Sequence, residues 1–195
     1  MAANDELRFW VRGKGGHGAM RAQFNDTVGA AAHLVTMLNA VNDESTVLSI
    51  GKVVADGATN VIPDEVYMEG TFRCFSEEHR HTVWHIIGAA AQSVEAKFGT
   101  STEVDINHGY PAVVSDEKLV EKALALATEK DLTTKILGKR YTSEDFGFYC
   151  VQYPSLFYRL GVGTSAGRSH TSTFAPDERA IAVGIDFMEQ LARGL

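Results

Sequence analysis

The segment Gly13–Gly18 is the first part of the chain whose residue types and spacing suggest chemistry. Its sequence, Gly-Lys-Gly-Gly-His-Gly, satisfies the GxGxxG pattern of dinucleotide-binding loops and follows a predicted strand. In that fold the third glycine opens a helix, whereas residues 19–25 intervene here, so nucleotide binding is not expected. Glycines on both sides of His17 leave its ring free to meet a ligand. His17 is therefore a candidate site residue, and a solvated surface histidine is the alternative.

Asn60 and Arg73 form a second candidate group. Arg73 lies on a predicted strand of otherwise apolar alternation, and Asn60 lies in the loop before that strand. A planar guanidinium and an amide donor together suit the recognition of a carboxylate. The alternative is an edge-strand arginine and a turn asparagine with no ligand.

His170 follows a loop of small residues, 163–169, which comes directly after a predicted buried strand. Ligands gather at such positions in α/β proteins, so His170 is a candidate site residue. One histidine cannot make a zinc site, which takes three or four protein ligands. The nearby run Ser143–Phe146, Ser-Glu-Asp-Phe, places two carboxylates beside aromatic residues. It suits an acid–base group or, more commonly, the cap of a turn.

The remaining histidines carry weaker patterns. His79, His81 and His85 lie on one predicted helix, and the last two have the i, i+4 spacing of zinc-binding helices. No third ligand and no nearby general-base glutamate accompany them, so a solvated helix face is the better interpretation. His33 and His108 belong to no pattern and receive no role.

Composition excludes several classes of protein. The 195 residues are 45% hydrophobic and 22% charged, which indicates a globular protein with a real core rather than a disordered or fibrous chain. A formal charge of −7 argues against a nucleic-acid binder. No apolar run is long enough to cross a membrane, and the N-terminal residues do not have the pattern of a signal peptide. Only Cys74 and Cys150 occur, far apart, which favours a cytoplasmic location with reduced thiols.

The first half of the chain predicts alternating strands and helices in the order βαββαβ. This order is that of the ferredoxin-like unit, with an antiparallel sheet and both helices on one face. The predicted elements are a strand at 7–12, a helix at 27–42, strands at 47–54 and 65–75, a helix from the cap Ser76 to Gly99, and a strand at 102–108.

The second half predicts fewer strands and an incomplete α/β layer. The predicted elements are a helix capped by Ser115, a short strand at 135–137, a helical turn at 143–149, a buried strand at 156–162, and a last helix from Pro176 that buries Ile181, Ile185, Met188 and Leu191.

Taken together, six stretches in family order resemble the co-catalytic, two-zinc metallopeptidase and amidohydrolase family of hippurate hydrolases, aminoacylases, indole-acetyl-amino-acid hydrolases and carboxypeptidase G-like enzymes. The hippurate and auxin-conjugate branch is the closest match. Arg21 and Ser172 stand where the family usually has proline, and both changes loosen loops next to candidate site residues. The matching stretches are 13–20, 47–51, 60–66, 70–73, 143–146, and His170-Thr171 with Phe174 and Asp177-Glu178.

The resemblance implies a lid, or dimerisation, domain at residues 5–112 and the C-terminal part of a catalytic domain at 113–195. The family segment that carries the other metal ligands and the general-base glutamate is not among these residues. By resemblance, His170 is a ligand of a two-zinc centre, and His17 stabilises the oxyanion in the partner subunit's active site. Asn60 and Arg73 hold the substrate carboxylate, also across a lid-mediated homodimer.

We therefore expect an α/β (α+β) chain that is part of a metal-dependent hydrolase acting on the amide bond of N-acyl amino acids or small peptides. The isolated chain is expected to be inactive, as a truncated enzyme, a degenerate gene product or one piece of a split enzyme. A dimerisation or binding module that keeps the lid fold without catalysis is the alternative.

Overall fold

The structure is a computed structural model, and it describes residues 1–194. Contacts divide the chain into two compact units. The first contains Met1–Val113 and Lys139–Phe148, and the second contains Val114–Gly138 and the residues from Tyr149 onward. The domain boundaries predicted from the sequence, 5–112 and 113–195, stay a prediction.

The first unit is built on a four-stranded sheet in which every neighbouring pair is antiparallel. The sheet has the order β3-β5-β1-β6, and two short strands, β2 and β4, pair with each other outside it. The mixed α/β class predicted from the sequence is confirmed, while the ferredoxin-like detail stays a prediction. The strands are β1 (Ala3–Arg12), β2 (Gly16–His17), β3 (Val47–Ala55), β4 (Val61–Ile62), β5 (Glu65–Cys74) and β6 (Ser101–His108).

Two helices cover one face of this sheet, and their ends follow from local capping. Helix α1 (Thr27–Asn39) begins after Asp26, whose side chain accepts a hydrogen bond from the Gly29 N–H at 2.8 Å. Helix α2 (Glu77–Phe98) begins after Ser76, as predicted, and ends at Gly99 in the left-handed conformation, with φ 64°. A short 3-10 turn at Arg21–Gln23 precedes α1.

The core of the first unit lies between the sheet and the two helices. Along β1 the odd-numbered residues are buried, which is the period-2 pattern of a strand covered on one face. The opposite face carries charged side chains in ion pairs, such as Arg12 with Glu65 and Glu103. The apolar residues that fill this core include Leu7, Phe9, Val11, Leu34, Leu38, Leu48, Met68, Phe72, Val83, Ile87 and Val94.

A buried ion pair crosses this core. The side chains of Arg80 on α2 and Asp5 on β1 have no exposed surface, and the guanidinium donates from Nε to Asp5 Oδ2 at 3.0 Å and from Nη2 to Oδ1. Trp84 Nε1 and the Gly109 N–H complete the carboxylate's hydrogen bonds, at 2.8 and 3.0 Å. Burial alone would lower the pKa of Arg80, but the hydrogen bonds and charges of Asp5 and Glu77 together outweigh it, so the pKa is raised.

The second unit has helices but no sheet among the described residues. Helices α3 (Glu117–Glu129) and α5 (Arg179–Arg193) pack around Ala123, Ala127, Phe187 and Leu191. A short helix α4 (Gly147–Cys150) lies between them in the chain, and its first two residues belong to the first unit. Lys130 and Asp186 form an ion pair that lowers the pKa of Asp186.

Three sequence predictions for the second half are wrong. Asp116, not Ser115, caps α3 by accepting from the Leu119 N–H at 3.0 Å. Residues 135–137 and 156–162 are not strands, because a strand needs a hydrogen-bonded partner and the described part of this unit supplies none.

The last helix also differs from its prediction. It begins at Arg179 rather than Pro176. Leu191 is buried as predicted, but Ile181, Ile185 and Met188 are 60, 63 and 53% exposed. The apolar stripe predicted from the sequence exists, yet most of it lies open to solvent.

No helix within residues 1–194 has the length and apolar character needed to cross a bilayer.

Replacing Arg80 with methionine is expected to lower the free energy of unfolding by about 3–5 kcal/mol, because Asp5 would keep a buried charge without a partner. Urea unfolding followed by circular dichroism measures this change. Glu77→Gln is the matched control, since Glu77 contacts the same guanidinium from a position that is 39% exposed. It should cost less than about 1 kcal/mol. Equal stability of the two variants would contradict the assignment of the pair as a buried structural contact.

Candidate functional site

His17 and Asn60 are brought together by the small β2–β4 ribbon. His17 pairs with Val61 in this ribbon, and the Gly18 N–H donates to the Asn60 carbonyl oxygen at 2.8 Å. The Asn60 side-chain Nδ2 lies 3.4 Å from His17 Nε2, and both side chains are accessible to solvent. The structure therefore places two of the sequence-predicted site residues side by side.

The hydrogen bonds of the imidazole indicate which nitrogen can serve a ligand. His17 Nδ1 accepts from the Ala19 N–H at 3.2 Å. In a neutral ring this leaves the proton on Nε2, so Nε2 and Asn60 Nδ2 are two neighbouring donors rather than a hydrogen-bonded pair. The two side chains can therefore donate hydrogen bonds to a single ligand oxygen.

Glycine is required in the loop that carries His17. The Gly15 N–H donates to Asp64 Oδ1 at 2.6 Å, and the Gly13 N–H donates to the Asp64 carbonyl oxygen at 2.9 Å. A β-carbon on Gly15 would lie 2.5 Å from the Ile62 carbonyl oxygen, which is closer than real contacts allow. The close approach of the two backbones, rather than a nucleotide phosphate, explains this part of the glycine pattern.

Arg73 lies on the open face of the sheet, away from the helices. Its Nη1 donates to the Tyr141 carbonyl oxygen at 2.9 Å and to Ser143 Oγ at 2.7 Å. Both acceptors are neutral and belong to the segment Lys139–Phe148, which packs with the first unit. Ser143 belongs to the Ser-Glu-Asp-Phe run noted in the sequence, but nothing in the sequence indicates its contact with Arg73.

The segment around Tyr141 is held by several contacts of the first unit. The Tyr141 hydroxyl donates to the Glu44 carbonyl oxygen at 2.6 Å, and its ring packs on Phe75 with centroids 5.0 Å apart. Lys139 Nζ lies 5.1 Å from the centroid of the same Phe75 ring. The Ala2 N–H contacts the carbonyl oxygens of residues 140 and 142 at 3.0 and 3.2 Å. The acceptors of Arg73 are thus fixed before any ligand arrives.

Arg73 and Asn60 are at opposite ends of the sheet within one chain. Arg73 pairs with Asn4, near the start of β1, whereas the His17 loop follows the end of β1 at Arg12. At roughly 3.3 Å per residue, the strand between those two positions spans about 26 Å. A small substrate cannot touch both Arg73 and the His17–Asn60 pair of the same chain.

His170 belongs to the second unit, where it is exposed and adopts the left-handed conformation with φ 64°. Within residues 1–194, no group of three or more histidine, cysteine, aspartate or glutamate side chains is placed to hold a metal ion. His170 alone cannot fill a metal centre, which needs about three protein ligands. The described residues therefore do not form a complete metal site.

The other histidines take local contacts. His79 Nε2 lies 2.5 Å from Thr46 Oγ1, and the rings of His81 and His108 meet Trp84 edge-on at centroid distances of 4.8 and 5.4 Å. These contacts tie α2 to its neighbours in the first unit and do not point to a ligand.

Comparisons with known proteins agree with the resemblance seen in the sequence. Residues 11–194 match the model of peptidase family M20/M25/M40. The N-acetyldiaminopimelate deacetylase of Pediococcus pentosaceus is 34% identical over 193 residues, covering 95% of this chain and 50% of that protein. The enzyme of the same name from Shouchella clausii is 34% identical over 194 residues, covering 96% of this chain and 52% of that protein.

A solved structure supports the same relationship. A Bacillus subtilis protein described as a dinuclear metal binding peptidase from the M20 family superposes with a TM-score of 0.81 at 27% identity, covering 98% of this chain and 49% of that chain. The chain spans about half the length of the curated relatives it matches.

Replacing Gly15 with alanine is expected to displace the His17 loop and destabilise the first unit by about 1–3 kcal/mol, the typical range for overpacking. The imidazole signals of His17 in NMR spectra should shift together with the amides of residues 60–64. Gly18→Ala is the control, since a β-carbon there would meet its nearest atom at 3.6 Å, an ordinary contact. If the alanine at position 15 leaves the His17 signals unmoved, the backbone contact does not hold this loop.

Proposed function

Because the chain belongs to peptidase family M20/M25/M40, we propose that it is part of a metal-dependent amidohydrolase that cleaves the amide bond of an N-acyl amino acid or small peptide. The observation that carries this proposal is the match over residues 11–194, together with relatives named N-acetyldiaminopimelate deacetylase. An N-acetylated amino acid with a free carboxylate is the substrate class that follows. The chain's own site residues suit the two polar ends of such a molecule.

In this proposal His17 and Asn60 bind the amide end of the substrate. Nε2 of His17 donates toward the carbonyl oxygen, where negative charge develops when the amide carbon becomes tetrahedral. Asn60 stands 3.4 Å from this nitrogen and supplies a second polar group. Both side chains sit on a ribbon braced by backbone contacts, so little reorganisation is needed when charge develops.

Arg73 binds the carboxylate end. Its Nη1 is occupied by Tyr141 and Ser143, which leaves Nε and Nη2 as an adjacent pair of donors. Such a pair matches the two oxygens of a carboxylate.

In this proposal the two groups come from different chains of a homodimer, and their separation along β1 supports this arrangement. One subunit supplies Arg73, and its partner supplies His17 and Asn60 to the same substrate. The edge strand β3 is the proposed dimer contact, since Val53 and Val54 on it are 55 and 44% exposed and its outer edge has no partner strand among the described residues. A symmetric contact of this kind closes on itself as a dimer.

The metal of the complete enzyme is proposed to be zinc, with His170 as one ligand. The remaining ligands lie outside the described residues, and none of the roles assigned to His17, Asn60 or Arg73 depends on their position. Residues 5–112 act as the lid and dimerisation domain, and 113–195 as part of the catalytic domain. A cytoplasmic location is supported by Cys74 and Cys150, which form no disulfide within the described residues.

The proposal is tested in a chimera in which residues 1–195 replace the matched half of the Pediococcus pentosaceus relative. We expect it to release acetate from N-acetyldiaminopimelate, to lose activity on chelation and to regain it with zinc. Residues 1–195 alone are expected to be inactive. A folded, metal-loaded chimera without hydrolysis of any N-acyl amino acid would instead favour the non-catalytic binding module.

In this chimera, His17→Ala is expected to lower kcat by about 100-fold or more, the usual cost of removing an oxyanion donor. His85→Ala is the matched control, because His85 is an exposed histidine on α2 outside the proposed site. Steady-state kinetics on both variants measure the difference. Equal losses would remove His17 from the reaction.

The two-chain arrangement predicts complementation between inactive variants. Mixing His17→Ala dimers with Arg73→Ala dimers, under conditions of subunit exchange, should restore about one quarter of wild-type activity, because half of the dimers are mixed and each mixed dimer has one intact site. If both residues serve the substrate from the same chain, no activity returns. Size-exclusion chromatography confirms that subunits have exchanged.

A further inference from the structure

Arg73 differs from the other arginines on the same sheet face in the groups that contact its guanidinium. Arg8 forms ion pairs with Glu6 and Asp105, and Arg12 forms them with Glu65 and Glu103. Arg73 has no carboxylate within 4.0 Å among residues 1–194, and its two acceptors are a backbone carbonyl and a hydroxyl. Hydrogen bonds to neutral acceptors fix the guanidinium without cancelling its positive charge.

The two hydrogen bonds of Arg73 Nη1 also determine which nitrogens of the guanidinium are left to bind a ligand. Nη1 carries two hydrogens, and the Tyr141 carbonyl at 2.9 Å and Ser143 Oγ at 2.7 Å account for both. Neither Nε nor Nη2 donates a hydrogen bond to any residue that the structure describes. These two nitrogens form one edge of the guanidinium plane, which is the edge that binds a carboxylate through two parallel hydrogen bonds.

We propose that Ser143 is a positioning residue that, together with the Tyr141 carbonyl, orients the Arg73 guanidinium so that its Nε–Nη2 edge recognises the substrate carboxylate. The identity of the substrate rests on the proposed function, whereas the orientation of Arg73 rests on the contacts of this chain. Ser143 itself does not touch the substrate. It acts by limiting rotation of a long side chain that would otherwise lose entropy when it binds.

The hydroxyl of Ser143 suits this task for physical reasons. An aspartate or glutamate at this position would hold Arg73 more strongly but would compete with the substrate carboxylate for its charge. An apolar side chain would leave one Nη1 hydrogen without an acceptor in a half-buried place. A neutral acceptor on a segment fixed by Tyr141 gives orientation and leaves the positive charge to the ligand.

The test compares Ser143→Thr with Ser143→Val, two side chains of similar shape of which only the first has a hydroxyl. The 15N-labelled chain of residues 1–195 is titrated with N-acetylglycine and, as the uncharged control, with N-acetylglycinamide. The Arg73 Nε–H signal, assigned by its loss in Arg73→Lys, reports both binding and the rotation of the guanidinium. Ser49→Ala is the matched control, since Ser49 is an exposed serine on the same sheet face whose Oγ lies 3.3 Å from Thr71 Oγ1.

We expect the wild-type chain and the Thr variant to respond to the acid and not to the amide. The Val variant should bind the acid about fivefold more weakly and show faster guanidinium rotation, because Arg73 loses one orienting hydrogen bond of ordinary net strength but keeps its own contact with the ligand. The backbone amide spectrum shows whether each variant is folded. Equal affinity and equal rotation in the Thr and Val variants, or no acid-specific response in the wild-type chain, would overturn the proposal.

The chimera separates this inference from the proposed function. An inactive chimera together with an intact acid-specific response at Arg73 would refute the hydrolase proposal alone. An active chimera whose KM for N-acetyldiaminopimelate is the same in the Thr and Val variants would refute the role of Ser143 alone. If Ser143 positions Arg73, the Val variant raises KM about fivefold and changes kcat much less, because Ser143 contacts no reacting atom.

Discussion

The buried contact between Arg80 and Asp5 fixes the end of the sheet on which the rest of the first unit depends. It joins α2 to the start of β1, and its hydrogen bonds to Gly109 reach the residues that follow β6. Arg80 Nη2 also donates to the Asn4 carbonyl oxygen at 3.0 Å. Because an unpaired charge in this place would be costly, helix and strands must meet in one register. The residue Asn4, which this network holds, is the neighbour of Arg73 in the sheet.

Strand β1 therefore sets the distance between the two groups of proposed site residues. Near its start lie Arg73 and the segment Lys139–Phe148, and beyond its end lie the glycine loop and His17. A paired central strand cannot shorten, and its burial pattern allows only one register, since a shift by one residue would expose the apolar side chains. The distance between Arg73 and the His17 loop is thus a property of the fold, and it is the reason that the proposed enzyme combines these residues from two chains.

Features that depend on neighbouring residues could be predicted from the sequence. The cap Ser76 and the end of α2 at Gly99 both follow from local rules, and the structure contains them. The sequence pattern groups Asn60 with Arg73, whereas in the structure Asn60 lies beside His17 and far from Arg73 of the same chain. The contact of Arg73 with Ser143 joins residues 70 positions apart, and no local rule reports it.

The second half shows the limit of pattern analysis most clearly. Residues 156–162 have the composition of a strand, but composition does not supply a neighbouring strand to pair with, and the structure forms no strand in this segment. The apolar periodicity of α5 is also present in the structure. Periodicity predicts that a helix has an apolar face, but it does not predict which residues cover that face. Such errors arise where stability depends on contacts far away in sequence.

Two arginines of the first unit, Arg80 and Arg73, look similar in the sequence but have different surroundings in the structure. Arg80 interrupts an apolar pattern on a helix, and Arg73 interrupts one on a strand. From the sequence alone, either arginine could stabilise the fold or bind a ligand. The buried Arg80 is neutralised by Asp5 and half-exposed Glu77, and its guanidinium has no donor to offer a ligand without breaking the core. Arg73 is held by neutral oxygens, and within residues 1–194 its charge has no carboxylate partner and its Nε–Nη2 edge makes no hydrogen bond. A fold gains no stability from leaving a fixed charge unneutralised on a sheet face where other arginines are paired. The unneutralised charge of Arg73 therefore supports the proposal that this arginine binds a ligand of opposite charge.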